Sequence, residues 1–355
     1  MNPSLPRAQP ETARCVVSVI VTALNHEATI CRSLEGSLAA VADMGGEVIV
    51  ADGGSTDRTV ELAARYPVRV VGVADPLEAT RGASLQLAFQ HSRGEYLLLL
   101  DGDRGLSPGF LPRALAFFAL HPEAAAVAGR MVRHPAAAPL GHTPMPARPI
   151  QLAPMQIRRL PSGGLYRRRA IAEVGYLADR NLHSHEDAEL AARLRVHGWK
   201  LWRIGADAAT ELAPRPTQPP MARWRRGAFA APGELLRIAL GQRRLKRAWQ
   251  DLPELRSAAA TLGWFALLAG MPWWPMTPVT LTVFATVVVA APLVVLAWRH
   301  RSVPDGLSAW LACCLATAGM ARGLMRHRRP PGRPVAGRIL YQPPPALAPQ
   351  SRHYA

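Results

Sequence analysis

The chain has 355 residues, of which 49% are hydrophobic, and it carries a formal net charge of +17. This length exceeds what one ordinary domain needs, so we expect a sizeable core and at least one further module. Basic residues concentrate in residues 221–256 and 326–355, on either side of the most apolar part of the chain. That placement is typical of segments that meet anionic lipid. The sequence has no basic module rich in aromatic residues, so we expect no nucleic-acid partner.

The first 14 residues are polar and lack the apolar centre of a signal peptide. We therefore expect this segment to be disordered and the N-terminal part of the chain to stay in the cytoplasm. The four cysteines form no paired metal spacing, which fits a reducing compartment.

Residues 15–134 alternate strand-like and helix-like patterns, as a sheet with crossover helices requires. The strand-like runs are almost continuously apolar, which indicates burial on both faces. Residues 183–204 follow with the patterns of a helix and an edge strand. We predict that the domain ends soon after them and comprises residues 15–215. The pattern predicts the α/β class with a mostly parallel sheet. The predicted elements are strand 15–22, helix 28–41, strand 47–52, a helix capped by Ser55 or Thr56, strand 69–75, helix 83–91, strand 95–100, helix 110–120 and strand 124–132.

Residues 135–154 contain six prolines and little periodicity, so we predict a loop and hypothesise that it orders over a substrate. Residues 216–256 form a basic juxtamembrane segment. Within it, residues 233–249 have the pattern of a helix lying in a membrane surface, with an ordinary amphipathic surface helix as the alternative.

Residues 276–298 form an uncharged run of 23 residues, and a helix of that length can cross a hydrocarbon core of about 30 Å. The flanking runs 257–273 and 306–321 are shorter. We therefore predict two or three membrane helices within residues 257–325, followed by a basic, proline-rich tail at 326–355. Three full crossings would place that tail outside, so we favour a hairpin of the first two runs with the third partly inserted.

Three predicted strands end in acids: Asp52, Asp75, and the pair Asp101 and Asp103 on either side of Gly102. Ligands of parallel sheets bind where the carboxyl ends of the strands meet. Two carboxylates around a glycine suit a hard divalent cation that is shared with substrate phosphates. The alternative for DGD is a plain turn, with aspartate for local hydrogen bonds and glycine for its conformation.

Six motifs stand in a fixed order along the chain: VSVIVTALNHE, VIVADGGSTDRT, EATRGAS, GEYLLLLDGD, SGGLYRRRAIAEVGYL and HEDAELAARLRVHGWKLW. Through them, residues 15 to about 212 resemble family 2 of the inverting nucleotide-sugar glycosyltransferases, whose nucleotide-binding domain has the GT-A fold. Two positions depart from the family pattern. Many relatives have two adjacent aspartates where this chain has Asp52 and Gly53, and an aromatic residue in place of Leu24.

The resemblance implies roles for five residues around the donor. Thr22 and Asp52 would hold its nucleoside, and Arg81 would contact the nucleotide side of the site. Asp101 and Asp103 match the acidic metal motif of the family, with Asp103 as the first candidate for a direct ligand of Mg²⁺ or Mn²⁺ on the diphosphate.

The resemblance also implies that Asp187 acts as general base. Because Ser184 to Asp187 fits a helix-capping pattern, a purely structural role is the alternative for Asp187. We expect His183 and His185 to be solvated loop residues. The arginines at 167–169 have two interpretations, a site for an anionic acceptor head group or a solvated run of charge.

Together, the resemblance and the apolar segments imply a multi-pass enzyme of the cytoplasmic membrane whose catalytic domain faces the cytoplasm. Its expected substrates are a nucleotide sugar and a lipid-linked acceptor, such as a polyprenyl phosphate or a glycolipid. Pro220 stands where processive synthases of the family have the glutamine of QxxRW, so we expect a single addition. Two alternatives stay open: a nucleotidyltransferase acting on a sugar phosphate, and a non-catalytic membrane scaffold with a degenerate transferase domain.

Overall fold

The structure is a computed structural model of the chain, and it describes residues 15–132, 153–160, 163–213, 219–225, 227–241, 253–275 and 277–344. The chain divides into two compact units. The first comprises Met1–Arg180, Asp187–Pro214 and Pro330–Ala355, and the second comprises Asn181–Glu186 and Arg215–Arg329. The N-terminal segment 1–14 and most of the proline-rich loop predicted at 135–154 lie outside the described residues.

The first unit is built on one mixed sheet. Its strands are β1 (Val17–Ala23), β2 (Glu47–Asp52), β3 (Arg69–Val73), β4 (Tyr96–Asp101), β5 (Arg104–Leu106), β6 (Ala124–Val132), β7 (Met155–Gln156), β8 (Gly164–Arg167), β9 (Lys200–Glu211) and β10 (Gly337–Tyr341). Their order across the sheet is β10-β3-β2-β1-β4-β8-β6-β9-β5, and β7 also pairs with β9. Strands β3, β2, β1 and β4 are mutually parallel, so their carboxyl ends share one edge.

Helices cover both faces of this sheet because its strands are apolar on both sides. The helices of the first unit are α1 (Ile30–Val41), α2 (Thr59–Ala63), α3 (Arg81–Gln90), α4 (Phe110–Leu120), α5 (Arg168–Glu173) and α6 (Glu186–Val196), whose first residue belongs to the second unit. Alternate residues of one strand enter different cores. Val19 and Val21 pack in the core that contains α1, whereas Ile20 packs in the core that contains α3. This confirms the α/β class.

Four local expectations need correction. Strand β9 is not at the edge, because the short strand β5 pairs with its outer side. Strand β10 comes from the basic tail and pairs antiparallel with β3. The sheet is mixed, because β3-β2-β1-β4 and the pair β6-β9 are parallel whereas the other pairs are antiparallel. Before α2, neither Ser55 nor Thr56 but Asp57 accepts the hydrogen bond from the backbone of Thr59, at 3.0 Å.

The second unit is helical. Its helices are α7 (Pro220–Arg225), α8 (Ala231–Gly241), α9 (Pro253–Gly270), α10 (Pro278–His300) and α11 (Val303–Met325). A small core joins Leu182 to side chains of α8, α9 and α11. Helices α10 and α11 form a hairpin that turns at Arg301 and Ser302, and a Cβ on Gly306 would lie 2.6 Å from the backbone of Ala297. The two helices are therefore in close contact.

Among the described residues, α10 and α11 are the two helices long and apolar enough to cross a membrane. Each has 23 residues, and no residue of α10 is buried. We expected instead a hairpin of runs 257–273 and 276–298. Helix α9 starts further back, at Pro253, and takes in Glu254 and Arg256, so its composition is less apolar. The run at 306–321 extends into a helix as long as α10.

Candidate active site at the carboxyl edge of the sheet

The sheet register brings the acidic strand ends to one edge. Thr22 of β1 pairs with Asp101 of β4, and Ala23 pairs with Asp52 of β2. Because neighbouring strands are about 4.8 Å apart, the backbones of Asp52 and Asp101 are separated by about 10 Å. Side chains of a strand alternate between the two faces of the sheet, so the Asp101 side chain projects from the same face as Thr22 and the Asp52 side chain projects from the other face. The strand ends therefore lie at one edge, with the two carboxylates on opposite faces of the sheet.

A hydrogen-bonded cluster joins Thr22, Asp101 and Arg81. The Thr22 hydroxyl donates to Asp101 Oδ1 at 3.1 Å, and Arg81 Nη2 donates to the same oxygen at 2.5 Å. Arg81 is the first residue of α3, whose preceding residue Thr80 accepts a hydrogen bond from Ala83 N at 3.0 Å. The Asp101 side chain is 9% exposed and that of Arg81 is 39% exposed. The guanidinium therefore holds the buried carboxylate and still presents a surface to a ligand.

Asp103 lies two residues beyond the end of β4 and has a buried cation beside it. Arg104 Nε is 3.4 Å from Asp103 Oδ1, and Arg104 Nη2 is 3.6 Å from Glu211 Oε1. Between the two acids, a Cβ on Gly102 would lie 2.6 Å from His26 Nδ1. Any larger residue at that position would displace the His26 ring. Sequence reasoning missed both Arg104 and His26, and the only signal for Arg104 was its place directly after DGD.

The oxygen donors of this turn fit a divalent cation that is shared with a ligand. Within the described part of the chain, no group of three metal-ligating side chains lies together. Mg²⁺ and similar hard cations need only one or two carboxylates when substrate phosphates and waters complete the shell. Asp101 and Asp103 therefore suit a cation that arrives with a diphosphate, and they do not suit one held by protein alone.

The Asp52 carboxylate points into its own loop. It accepts hydrogen bonds from Gly54 N at 2.9 Å and Ser55 N at 3.1 Å, and from the Ser55 hydroxyl at 2.6 Å. Asp52 thereby fixes the turn after β2 at the edge of the site. A contact between Asp52 and a nucleoside stays a prediction. Asp75, at the end of the third predicted strand, likewise caps its own turn through Leu77 N at 2.9 Å.

Asp187 lies in the first turn of α6, where it forms an ion pair with Arg159. Arg159 Nε is 3.5 Å from Asp187 Oδ2, and the Asp187 side chain is 37% exposed. Further along the chain from Arg159, Gly163 N donates to Leu99 O of β4 at 2.9 Å, two residues before Asp101. The ion pair thus ties Asp187 to a segment that runs beside the end of β4.

Arg167 and Arg168 fit neither of the interpretations offered by the sequence, whereas Arg169 is exposed to solvent. They lie near the start of β4, at the opposite edge of the sheet, because Arg167 pairs with Tyr96. Burial lowers the pKa of Arg167 and of Arg168. All three guanidinium groups donate to backbone carbonyls: Ala124 and Phe118 for Arg167 (3.1 and 3.0 Å), Gly94 for Arg168 (2.5 Å) and Pro122 for Arg169 (2.9 Å).

Residues 18–173 match the family described as Glycosyl transferase family 2, and the sheet to which they contribute has a GT-A-like fold. The matched range includes five of the predicted site residues: Thr22, Asp52, Arg81, Asp101 and Asp103. Asp187 lies beyond it.

Two similar curated proteins are undecaprenyl-phosphate 4-deoxy-4-formamido-L-arabinose transferases. The one from Pseudomonas aeruginosa (strain LESB58) is 33% identical over 104 residues, which cover 28% of this chain and 31% of the relative. The one from Edwardsiella ictaluri (strain 93-146) is 31% identical over 103 residues, which cover 27% of this chain and 32% of the relative. The similarity therefore spans about a third of the length of each relative.

Among solved structures, the chain is similar to the mannosyltransferase PcManGT from Pyrobaculum calidifontis in complex with GDP-Man and Mn²⁺. The TM-score is 0.55 over 88% of each chain, at 17% sequence identity. At this identity, the likeness shows the fold alone.

Proposed function

We propose that the protein transfers one sugar from a nucleoside-diphosphate sugar to a lipid-linked acceptor, with inversion at the anomeric carbon. One observation carries the proposal: Thr22, Asp101 and Arg81 form a hydrogen-bonded cluster, with Asp103 beside it, at the carboxyl edge of a domain that matches family 2. Carboxylates with a partly exposed arginine at this edge suit a diphosphate and its cation.

In this proposal the donor lies across the ends of β2, β1 and β4. Thr22 and Asp52 contact the nucleoside, and Arg81 directs its guanidinium toward the diphosphate. Asp101 and Asp103 would hold Mg²⁺ or Mn²⁺. When bound, that ion supplies positive charge that stabilises the departing diphosphate.

Asp187 acts on the acceptor. An acceptor hydroxyl gives its proton to the Asp187 carboxylate while its oxygen attacks the anomeric carbon from the face opposite the leaving group, so the configuration inverts. The ion pair with Arg159 restrains the orientation of the Asp187 carboxylate. An acceptor phosphate would arrive already ionised and would need no base, so the effect of removing Asp187 separates the two kinds of acceptor.

The acceptor proposal rests on the helical unit and on the relatives. Helices α10 and α11 have the length and composition of membrane spans. The names of the Pseudomonas and Edwardsiella relatives specify undecaprenyl phosphate. A polyprenyl phosphate or a glycolipid in the same bilayer as these helices would reach the enzyme by diffusion within the membrane.

The sheet constrains the membrane topology. Strand β10 follows the helical hairpin in the chain, yet it pairs with β3, which precedes the hairpin. This pairing supports a topology in which the chain on both sides of the hairpin lies on one side of the membrane and the number of crossings is even. Because nucleotide sugars are cytoplasmic solutes, we propose that this side is the cytoplasm.

The function is tested by incubating detergent-solubilised protein with a panel of nucleotide sugars, Mn²⁺ and polyprenyl phosphate or extracted glycolipid. We expect release of the nucleoside diphosphate that depends on the lipid and stops with EDTA, and a glycolipid product of inverted configuration by NMR. Release of pyrophosphate from a sugar phosphate and a nucleoside triphosphate would instead identify a nucleotidyltransferase. Full cellular function of both Asp103→Ala and Asp187→Ala would identify a scaffold.

The topology is tested with single cysteines in a chain whose natural cysteines are replaced by serine. Ser302→Cys places a thiol in the turn between α10 and α11, and Gly332→Cys places one after α11. A membrane-impermeant thiol reagent applied to intact cells should label the first and not the second. Labelling of Gly332→Cys alone would reverse the proposed orientation.

A further inference from the structure

One uncharged run covers parts of two helices in the second unit. Residues 257–298 are 42 residues without a charged side chain, and they include most of α9 and nearly all of α10. A crossing of the hydrocarbon core needs about 20 apolar residues, and α10 supplies that length alone. The part of α9 within the run, residues 257–270, has 14 residues. That length is too short for a crossing and is typical of a buried core helix or of a helix that enters the membrane partway.

The exposure of α9 excludes the buried core helix. One face packs in the small core of the second unit. On the rest of the helix from Ala259 to Gly270, every exposed residue is alanine, glycine, leucine or phenylalanine. Leu262 and Phe265, one turn apart, are 58% and 46% exposed. A helix face without polar groups is unfavourable in water and favourable against acyl chains.

A hydrogen bond places the middle of α9 against the middle of α10. Proline has no backbone N–H, so Pro292 leaves the carbonyl of Val288 without its usual donor within the helix. Trp264 Nε1 of α9 donates to this carbonyl at 2.8 Å. The Trp264 ring also meets the ring of Trp310 in α11 edge-on, with centroids 6.1 Å apart. A carbonyl without a donor is costly where no water reaches it, so this bond suits helices packed within the hydrocarbon layer.

Three contacts give the depth of α9 along the hairpin, measured from the end at which α10 begins and α11 ends. Leu255 shares a core with Met320, which lies about 8 Å from that end. The bond from the tryptophan of α9 reaches α10 at about 15 Å. Beyond α9, the Trp274 ring contacts the ring of Phe284 at about 9 Å. The chain therefore runs inward to the middle of the hairpin and then returns.

We propose that α9 is a re-entrant membrane helix whose exposed face, with Leu262 and Phe265, binds the acyl chains of the bilayer. It enters from the side on which α10 begins, reaches the middle of the hydrocarbon core near Trp264 and returns before α10 starts. The proposal rests on the membrane crossing proposed above for α10 and α11. The exposed faces of α9 and α10 then form one continuous lipid-binding surface, since no residue of α10 is buried. A re-entrant helix adds no crossing, so the number of crossings stays even.

The test measures depth with spin labels on single cysteines, in full-length protein whose natural cysteines are replaced by serine. The protein is reconstituted in vesicles of phosphatidylcholine and phosphatidylglycerol. Leu262→Cys probes α9, and Phe265→Cys repeats the measurement on the same face. Val289→Cys marks the middle of α10, and Leu120→Cys marks the exposed end of α4. Collisions with oxygen, which concentrates in lipid, are compared with collisions with a water-soluble nickel chelate.

We expect the oxygen-to-nickel ratio at both α9 probes to be about tenfold above that at Leu120→Cys and within about twofold of that at Val289→Cys. Ratios at the α9 probes equal to that at Leu120→Cys, with a lipid value kept at Val289→Cys, would overturn the re-entrant helix and leave the crossing of α10 intact. A water value at Val289→Cys as well would overturn the crossing itself, and the re-entrant helix with it.

A second measurement distinguishes a re-entrant helix from a full crossing. Leu240→Cys lies at the end of α8, before α9, and Trp273→Cys lies after α9 at a residue that is 81% exposed. A membrane-impermeant thiol reagent is applied to intact cells and to inverted vesicles. A helix that returns to the side it entered should give the same pattern of labelling at both positions. Opposite patterns would show that α9 crosses the bilayer and would overturn the proposal.

Discussion

The two edges of the sheet in the first unit both carry arginine and use it differently. At the carboxyl edge, Arg81 binds the carboxylate of Asp101 and keeps 39% of its side chain exposed. At the amino edge, Arg167 and Arg168 donate to backbone carbonyls, and their guanidinium groups stack on the rings of Phe118 and Phe89. One edge keeps a cation accessible to a ligand, whereas the other uses its cations inside the fold.

This contrast shows why an arginine cannot be assigned a role from its neighbours in sequence. The run at 167–169 has the highest local density of charge in the domain, and its charges satisfy carbonyls where strands and helices end. Buried carbonyls need a partner, and a guanidinium with five donors can serve several of them. We therefore expect substitutions at the carboxyl edge to change activity and substitutions at the amino edge to change stability.

The largest expected effect is at the carboxyl edge. Asp103→Asn should lower the rate of nucleoside diphosphate release by about 10³-fold, because the neutral amide no longer holds a cation at the diphosphate. Initial rates at saturating donor measure this effect. Asp75→Asn is the matched control, since Asp75 follows β3, another parallel strand of the sheet, and caps its own turn. Equal losses in the two variants would contradict the assignment of Asp103.

At the amino edge we expect a loss of stability. Arg167→Leu removes two hydrogen bonds to buried carbonyls and should lower the free energy of unfolding by about 3 kcal/mol. Urea titration measures the change. The folded variant should keep the wild-type donor KM. A raised donor KM without loss of stability would place Arg167 in ligand binding and erase the difference between the edges.

Arg81→Gln should have an intermediate effect. We expect the donor KM to rise about tenfold, because a charge-assisted contact with the diphosphate is lost, while stability changes little at this partly exposed position. Steady-state kinetics with varied donor and a parallel melting curve separate the two quantities. A large fall in melting temperature with an unchanged KM would assign Arg81 the same structural role as Arg167.

The smallest expected effect concerns pH at the amino edge. Burial, together with the nearby Arg69, lowers the pKa of His91 below its usual value. The unfolded chain therefore binds a proton at His91 more readily than the folded chain does, so the His91 contribution to stability is present above about pH 7 and falls as the pH drops through the region near 6.5. His91→Asn should reduce the fall in melting temperature between about pH 7 and pH 5. An unchanged pH profile would show that His91 does not contribute.

Much of the first unit is predictable from local sequence. The strand at 47–52, the helix at 110–120 and the strand at 124–132 have the predicted bounds, because each is a continuous apolar run or an amphipathic repeat with clear ends. Strands β5 and β10 were not predicted. They have three and five residues, and they become strands because β9 and β3 offer open edges.

Part of the site was also predictable. Asp101 lies at the carboxyl edge as the strand ends implied, since parallel strands bring their carboxyl ends to one edge. Thr22 and Arg81, which only the family resemblance assigned to the site, both donate hydrogen bonds to Asp101. The orientation of Asp52 was not predictable, because it depends on the hydrogen bonds of the loop at 53–55. The ion pair between Asp187 and Arg159 joins residues 28 positions apart, and no sequence pattern predicts it.

The sequence by itself determined the α/β class, the edge at which the acids meet and the presence of long apolar segments. These follow from hydrophobic periodicity and from motifs, both of which are local properties of the chain. Tertiary structure alone decided that a piece of the basic tail is a strand of the sheet, that Arg167 satisfies buried carbonyls, and that His183, which we expected to be solvated, binds the buried Glu234. Each of these depends on hydrogen-bonding groups that are distant in sequence and become neighbours only when the chain has folded.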